Sequence, residues 1–151
     1  MKGVLLKLML TRQGIAFDRY IIQWTGQSLL NRLFSPAAGF EVQPALVLET
    51  RGRLTGRPRA VGLPYFTVEG KMMLVGSRGG SPTDPGWVYN LRANPDVRIN
   101  IDRKWRKARA RVSDGEERER LWPQLCAIVP SYAEYQKLCE RRLPIVILEP
   151  A

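Results

Sequence analysis

The residues best suited to bind an anionic ligand are concentrated at one turn in the first half of the chain. Segment 50–59 (TRGRLTGRPR) places four arginines around two glycines. Glycine lets the backbone approach a ligand closely, and exposed N–H groups in such turns bind anions. Arginine adds bidentate hydrogen bonds to phosphate or carboxylate. The segment therefore predicts either an anion site or a solvated hairpin with incidental charge.

A second candidate is a glycine-rich loop followed by a helix start. Segment 75–80 (VGSRGG) precedes segment 85–91 (PGWVYNL), and a helix N-terminus next to such a loop favours anions. Trp87 and Tyr89 would either flank a planar ring or pack in the core. The spacing matches neither the dinucleotide-binding fingerprint nor a P-loop.

The residue types that are missing exclude several kinds of active site. The chain has no histidine, which excludes Ser-His-Asp and Cys-His nucleophilic centres. Its two cysteines, Cys126 and Cys139, are too few for a metal cluster, so we expect no metal site. The pair would form either one disulfide or two free thiols, and free thiols fit a reducing compartment better.

The net charge of +10 points to an anionic partner, and the excess lies in the first 110 residues. A nucleic acid, an anionic membrane surface and an anionic small molecule all remain compatible with it. A nucleic-acid patch would use segment 104–107 (KWRK) together with Arg109 and Arg111, with Trp105 as a stacking platform. The alternative is an exposed strand that its charges protect from aggregation, and we favour it.

The first 34 residues have a helical pattern, in which four apolar side chains share one face: Phe17, Tyr20, Ile21 and Trp24. This helical arm, residues 1–40, is expected either to pack on the following domain or to touch a membrane. The start of the chain has no convincing cleavage site for a secretory signal, and no apolar stretch is long enough to span a bilayer. We therefore expect a cytoplasmic protein.

From residue 44 the pattern changes to short strands joined by tight turns. Asp84-Pro85 predicts the cap and first turn of a helix, and the pairs Ser113/Glu116 and Ser131/Glu134 predict capping boxes of two more, ending near Val129 and Arg142. A last strand follows at 143–148. The fold class predicted for residues 41–151 is mainly β with peripheral helices, arranged as a small antiparallel barrel.

Several of these segments occur together in the deazaflavin-dependent nitroreductase family of actinobacteria, which the chain resembles from about residue 15 onward. The segments are 52–59 (GRLTGRPR), 77–80 (SRGG), 85–87 (PGW), 90–95 (NLRANP), 122–125 (WPQL), 130–135 (PSYAEY) and 144–146 (PIV). Two positions depart from the family pattern. Leu54 stands where the family often has a basic residue, which affects tail binding, and segment 61–64 (VGLP) differs in a way that would reshape the substrate pocket.

The resemblance implies a split β-barrel related to flavin-mononucleotide-binding barrels and a bound coenzyme F-420, an 8-hydroxy-5-deazaflavin with a phosphodiester and an oligoglutamate tail. The reduced cofactor would pass hydride to a quinone, a nitroaromatic or an activated enone. Carried over by position, the cofactor-binding residues would be Arg53, Leu54, Thr55, Arg59, Ala60, Val61, Gly62, Leu63, Pro64, Val75, Gly76, Ser77, Arg78, Gly86, Trp87, Val88, Tyr89, Asn90 and Tyr132. Without histidine, the candidate proton donors are Tyr132, Tyr135, Ser77 and water, although Tyr135 also suits a packing role.

Two other interpretations stay open at this point. One is the same barrel with flavin mononucleotide (FMN) as its cofactor, and the other is a non-enzymatic basic module that binds nucleic acid or anionic membrane. The preferred interpretation excludes nucleic acid as a partner. The protein would act on a small molecule, form a possible homodimer, and touch the inner face of the plasma membrane through residues 1–34.

Overall fold

A computed structural model describes residues 2–38 and 41–151 of the chain. The helices of this part are α1 (Lys2–Met9), α2 (Arg12–Thr25), α3 (Leu29–Ala38), α4 (Gly86–Ala93), α5 (Gly115–Ile128) and α6 (Ser131–Lys137). The strands are β1 (Ala45–Arg51), β2 (Pro58–Pro64), β3 (Phe66–Val68), β4 (Lys71–Val75), β5 (Asp96–Ile101), β6 (Lys104–Val112) and β7 (Ile145–Pro150). A single 3-10 turn covers Arg78–Gly80.

The strands form one antiparallel sheet in the order β2-β1-β5-β6-β7-β4-β3. Its two edge strands, β2 and β3, are separated in sequence only by Tyr65. The sheet must therefore curl until its edges approach each other at that residue. This architecture confirms the predicted split β-barrel with peripheral helices.

The barrel has two ends, which we call upper and lower. At the upper end β1, β4 and β6 finish, and at the lower end these three strands begin. Alternate side chains of the strands point inward and form a buried apolar core that includes Leu46, Leu74 and Leu148. Trp87 and Val88 of α4 belong to the same core, so this helix closes the barrel at its upper end. The site described below depends on that position of α4.

Two helical layers cover the outside of the sheet. Helices α5 and α6 bury a second apolar cluster against β3, β4 and β7. Helix α2 packs on β1 and β2 through Ile22, which is 2% exposed. Gly62 makes this possible, since a Cβ at that position would collide with the Ile22 side chain. Gly62, expected at the cofactor, therefore faces α2 in the structure.

The apolar stripe predicted on the first helices is not what packs on the barrel. Phe17 is 56% exposed, Tyr20 55% and Trp24 70%, while the buried positions of α2 are Asp18 and Ile22. The expectation that α2 packs on the domain is confirmed, but its aromatic residues face outward. None of the described helices is long and apolar enough to cross a membrane.

The predicted helix starts need three corrections. Helix α4 begins at Gly86 with Pro85 as its N-cap, because the Asp84 carboxylate is held in ion pairs instead. Helix α5 starts after Asp114 and not at Ser113, whose buried hydroxyl has no hydrogen-bond partner. Helix α6 has no side-chain cap hydrogen bond and ends at Lys137, short of the predicted Arg142. At Asp84 the local capping pattern is overridden by ion pairs with Arg92 and Arg141.

Candidate cofactor site

A cleft of about 430 Å³ opens at the upper end of the barrel, between the β1–β2 turn, strand β2 and the start of α4. It is lined by Gly52, Arg53, Leu54, Thr55, Arg59, Ala60, Val61, Gly86, Trp87 and Asn90. All but Gly52 were predicted to bind the cofactor. The structure thus brings together residues that lie up to 38 positions apart in the sequence, from Gly52 to Asn90.

The β1–β2 turn is fixed by its own backbone. The N–H of Gly52 donates to the carbonyl of Arg57 at 2.8 Å, and the N–H of Gly56 donates to the carbonyl of Gly52 at 2.7 Å. Gly56 has a φ of 69°, a left-handed conformation that favours glycine. The turn consequently presents the side chains after Gly52 to the cleft, and Leu54 at its tip is 86% exposed.

Asn90 ties this turn to α4. Its side-chain Oδ1 accepts a hydrogen bond from the N–H of Arg53 at 3.1 Å, and its Nδ2 donates to Oγ1 of Thr50 at 3.1 Å. Asn90 is 7% exposed and Thr50 1%, so the bond between these two side chains is buried, and the bond to Arg53 is partly buried. A buried polar group without a partner is costly, and the pair therefore fixes how far the turn stands from the helix.

The charged side chains that line the cleft are both arginines, and the rest of the lining is mostly apolar. The guanidinium of Arg53 lies 4.9 Å from the ring centroid of Tyr89, which places Tyr89 behind the arginine, outside the cleft lining. Within residues 2–38 and 41–151, no carboxylate lies within ion-pair distance of Arg53 or Arg59. Their positive charge is therefore available to a ligand.

Four of the remaining predicted residues, Val75, Gly76, Ser77 and Arg78, lie at the end of β4 and in the glycine-rich loop that follows it, outside the cleft lining. Gly76 packs against Val88 of α4, where a Cβ would stand 3.0 Å from the Val88 side chain. Ser77 precedes the 3-10 turn, and Arg78 donates to the hydroxyl of Thr83 at 3.1 Å. Leu63 and Pro64 lie further down β2. Helix α4 thus separates the loop from the cleft and contacts both.

Sequence reasoning missed the residue that holds the glycine-rich loop. Arg141 donates to the carbonyls of Gly76 at 3.1 Å, Ser77 at 2.8 Å and Ser81 at 2.7 Å. It also bonds the Asp84 carboxylate at 2.6 Å, and Arg92 contacts the other oxygen of that carboxylate at 2.6 Å. No local pattern marks Arg141, because its partners lie about 60 residues earlier.

Tyr132, the first of the predicted proton donors, lies in the apolar cluster under α5 and α6. Its ring is 6% exposed and packs between Phe66 and Trp122, with centroid distances of 5.9 and 6.5 Å. Burial raises the pKa of its phenol above the usual value of 10.0. Tyr135 is half-buried beside the same cluster, and its carbonyl lies next to Gly80 of the loop. Neither tyrosine lines the cleft.

The sequence from residue 34 to residue 150 matches the family described as F420H(2)-dependent quinone reductase. The chain belongs to this family. It is therefore an oxidoreductase that uses coenzyme F-420, as the resemblance in its motifs implied. The family, the class of enzyme and the cofactor predicted from the sequence are confirmed.

Three individual proteins agree with this family. A protein of Mycobacterium tuberculosis, provisionally named as an F420H(2)-dependent quinone reductase, is 37% identical over 114 residues, which are 75% of this chain and 96% of that protein. The solved structure of an F420-H2-dependent reductase is 37% identical with a TM-score of 0.62, over 70% of this chain and 94% of its own. Another solved structure, described as a domain-swapped dimer, is 35% identical with a TM-score of 0.63, over 78% and 92%.

Proposed function

We propose that the upper cleft is where this quinone reductase holds reduced coenzyme F-420 and delivers hydride to its quinone substrate. The observation that carries the proposal is the lining of the cleft, in which nine of the residues expected at the cofactor meet around two arginines without acidic partners. The positive charge of the two arginines supports an anionic cofactor in this position, and the apolar wall of the cleft supports a planar ring.

The residues present fit the chemistry of the cofactor. Arg53 and Arg59 suit the phosphodiester and the carboxylates of its tail, because guanidinium groups bind such anions with two hydrogen bonds. Ala60, Val61 and Trp87 supply an apolar surface for the deazaflavin ring. A Cβ at Gly86 would meet no atom within 4 Å, so the backbone at the start of α4 is open to a ligand.

When bound, the deazaflavin supplies a hydride from its carbon 5, and the protein has to position the acceptor within about 3 to 3.5 Å of that carbon. The fixed turn and Trp87 would orient the ring, and the arginines would hold the tail. Complete reduction of a quinone to a hydroquinone also needs a proton. Thr55 carries the one hydroxyl in the cleft lining, and the cleft opens to water, which is the simplest proton source.

The role of the cleft arginines can be tested with two single changes in segment 50–59. Replacing Arg59 by Gln is expected to weaken binding of coenzyme F-420 about 10-fold, because it removes one charged contact to the tail. Arg57→Gln is the matched control, since Arg57 lies two residues earlier, in the β1–β2 turn, but does not line the cleft. The measurement is quinone-dependent oxidation of reduced F-420 at varied cofactor concentration. Equal effects of the two changes would contradict the assignment.

The catalytic role predicted for Tyr132 remains to be tested, and so do those of Tyr135 and Ser77. If the proton comes from water in the cleft, Tyr132→Phe leaves kcat and its pH profile unchanged, because the phenol lies outside the cleft lining. A loss of kcat of about 10-fold or more, with stability unchanged, would show instead that the phenol donates the proton.

We also propose that the aromatic face of α2 brings the enzyme to the cytoplasmic surface of a membrane. Exposed aromatic and apolar side chains favour the lipid interface, and many quinones are lipophilic. Sedimentation with anionic vesicles tests the proposal: the double change Phe17→Ser and Trp24→Ser should abolish binding. Trp105→Ser is the control, because Trp105 is exposed on a strand far in sequence. Equal binding by all variants would overturn it.

A homodimer is the assembly we propose, on the strength of the domain-swapped relative. Light scattering of the purified protein distinguishes it from a monomer.

A further inference from the structure

A second cavity of about 430 Å³ lies at the lower end of the barrel, opposite the end that α4 closes. Its walls come from strands and from the turn before β4, with no helix among the described residues that line it. Met72, Ile99 and Leu148 form an apolar floor that is continuous with the barrel core. A barrel mouth of this kind has the size and character of a small-molecule pocket.

The rim of this cavity carries three cationic side chains and one carboxylate. Arg106 and Lys107 line the cavity, and in the described part of the chain neither has a carboxylate within ion-pair distance. Further along β6 the pattern is different: Arg109 pairs with Asp96 at 3.3 Å.

The one acidic residue among the described residues that line the cavity already has an ion-pair partner. Glu149 lines the cavity, and its carboxylate accepts a hydrogen bond from Arg111 at 2.7 Å. Lys71, also at the rim, lies 3.2 Å from Glu117. The unpaired cations at the cavity are thus Arg106 and Lys107, and of these Arg106 shares the inward face of β6 with the core residue Ala108.

We propose that the lower cavity binds an amphipathic monocarboxylate, with its hydrocarbon chain on the floor of Met72, Ile99 and Leu148 and its carboxylate on Arg106. Burial of its methylene groups on this floor stabilises the bound ligand through the hydrophobic effect. The guanidinium supplies a bidentate, charge-assisted contact to the head group. The site is separate from the upper cleft, and its occupancy does not depend on the cofactor proposed there.

Calorimetric titration with octanoate tests this proposal, with 1-octanol as the uncharged analogue. Octanoate is expected to bind saturably at one site, and octanol about 10-fold more weakly. Arg106→Gln should weaken octanoate binding about 10-fold. The control is Arg103→Gln, which removes the same charge from the neighbouring β5–β6 turn without touching the cavity.

Four results would overturn the proposal: no saturable binding of octanoate, equal binding of octanol, equal effects of the Arg106 and Arg103 changes, or displacement of octanoate by coenzyme F-420. The last result would place the ligand in the upper cleft. Octanoate binding is measured without cofactor, so a failed F-420 titration leaves this test intact.

Discussion

Replacing Arg141 by Met is expected to lower the free energy of unfolding by about 3 kcal/mol, because it breaks a shielded ion pair and leaves three loop carbonyls without their donor. The Arg141 side chain is only 14% exposed and its partner Asp84 only 10%. Methionine keeps much of the apolar volume, so the loss reports hydrogen bonds and charge. Chemical denaturation followed by tryptophan fluorescence measures the difference.

Arg142→Met is the matched control for this experiment. Arg142 is the next residue, but its side chain is 71% exposed and its bond to Glu119 is 3.3 Å long. An exposed pair of this kind contributes at most about 1 kcal/mol. If the two variants lost the same stability, Arg141 would not be the residue that holds the glycine-rich loop.

Asn90→Leu is expected to affect both stability and cofactor binding. The change removes the hydrogen bonds to the N–H of Arg53 and to Thr50, which should lower the free energy of unfolding by about 2 kcal/mol. Because the same bonds position the turn over the cleft, affinity for coenzyme F-420 should fall about 10-fold or more. Denaturation and cofactor titration of the same preparation measure the two effects.

The control for Asn90 is Asn94→Leu at the other end of α4. Asn94 makes an exposed hydrogen bond to the N–H of Asp96 at 3.1 Å, and it does not line the cleft. Its loss should cost less than about 1 kcal/mol and leave affinity unchanged. If Asn90→Leu lowered stability without changing affinity, the hydrogen bonds of Asn90 would stabilise the fold without positioning the cofactor site.

Nine of the ten residues that line the upper cleft were expected at the cofactor, because the pattern that marks most of them is local. The glycines and arginines of segment 50–59 mark a turn and its charge within ten residues, and Asp84-Pro85 predicted the start of α4 to within one residue. The motif resemblance added that these two segments meet. Neither source indicated that Asn90 would join them by hydrogen bonds to the turn.

Features that depend on distant partners were predicted poorly. Asp84 has the ordinary sequence of a helix cap, yet Arg141 and Arg92 take its carboxylate. Gly62 was expected at the cofactor by position, and no sequence pattern indicated that its missing side chain also makes room for Ile22. The aromatic spacing of α2 predicted a helix correctly but gave no indication of which face the barrel would cover.

Titration of the purified protein with oxidised coenzyme F-420, followed by cofactor fluorescence and run in parallel with FMN, tests the central assignment most directly. We expect saturable, micromolar or tighter binding of F-420 by the wild-type protein and by Arg57→Gln, weaker binding by Arg59→Gln, and no comparable binding of FMN. Binding of FMN alone, or equal F-420 affinity of the wild-type protein and Arg59→Gln, would contradict the placement of the deazaflavin in the upper cleft.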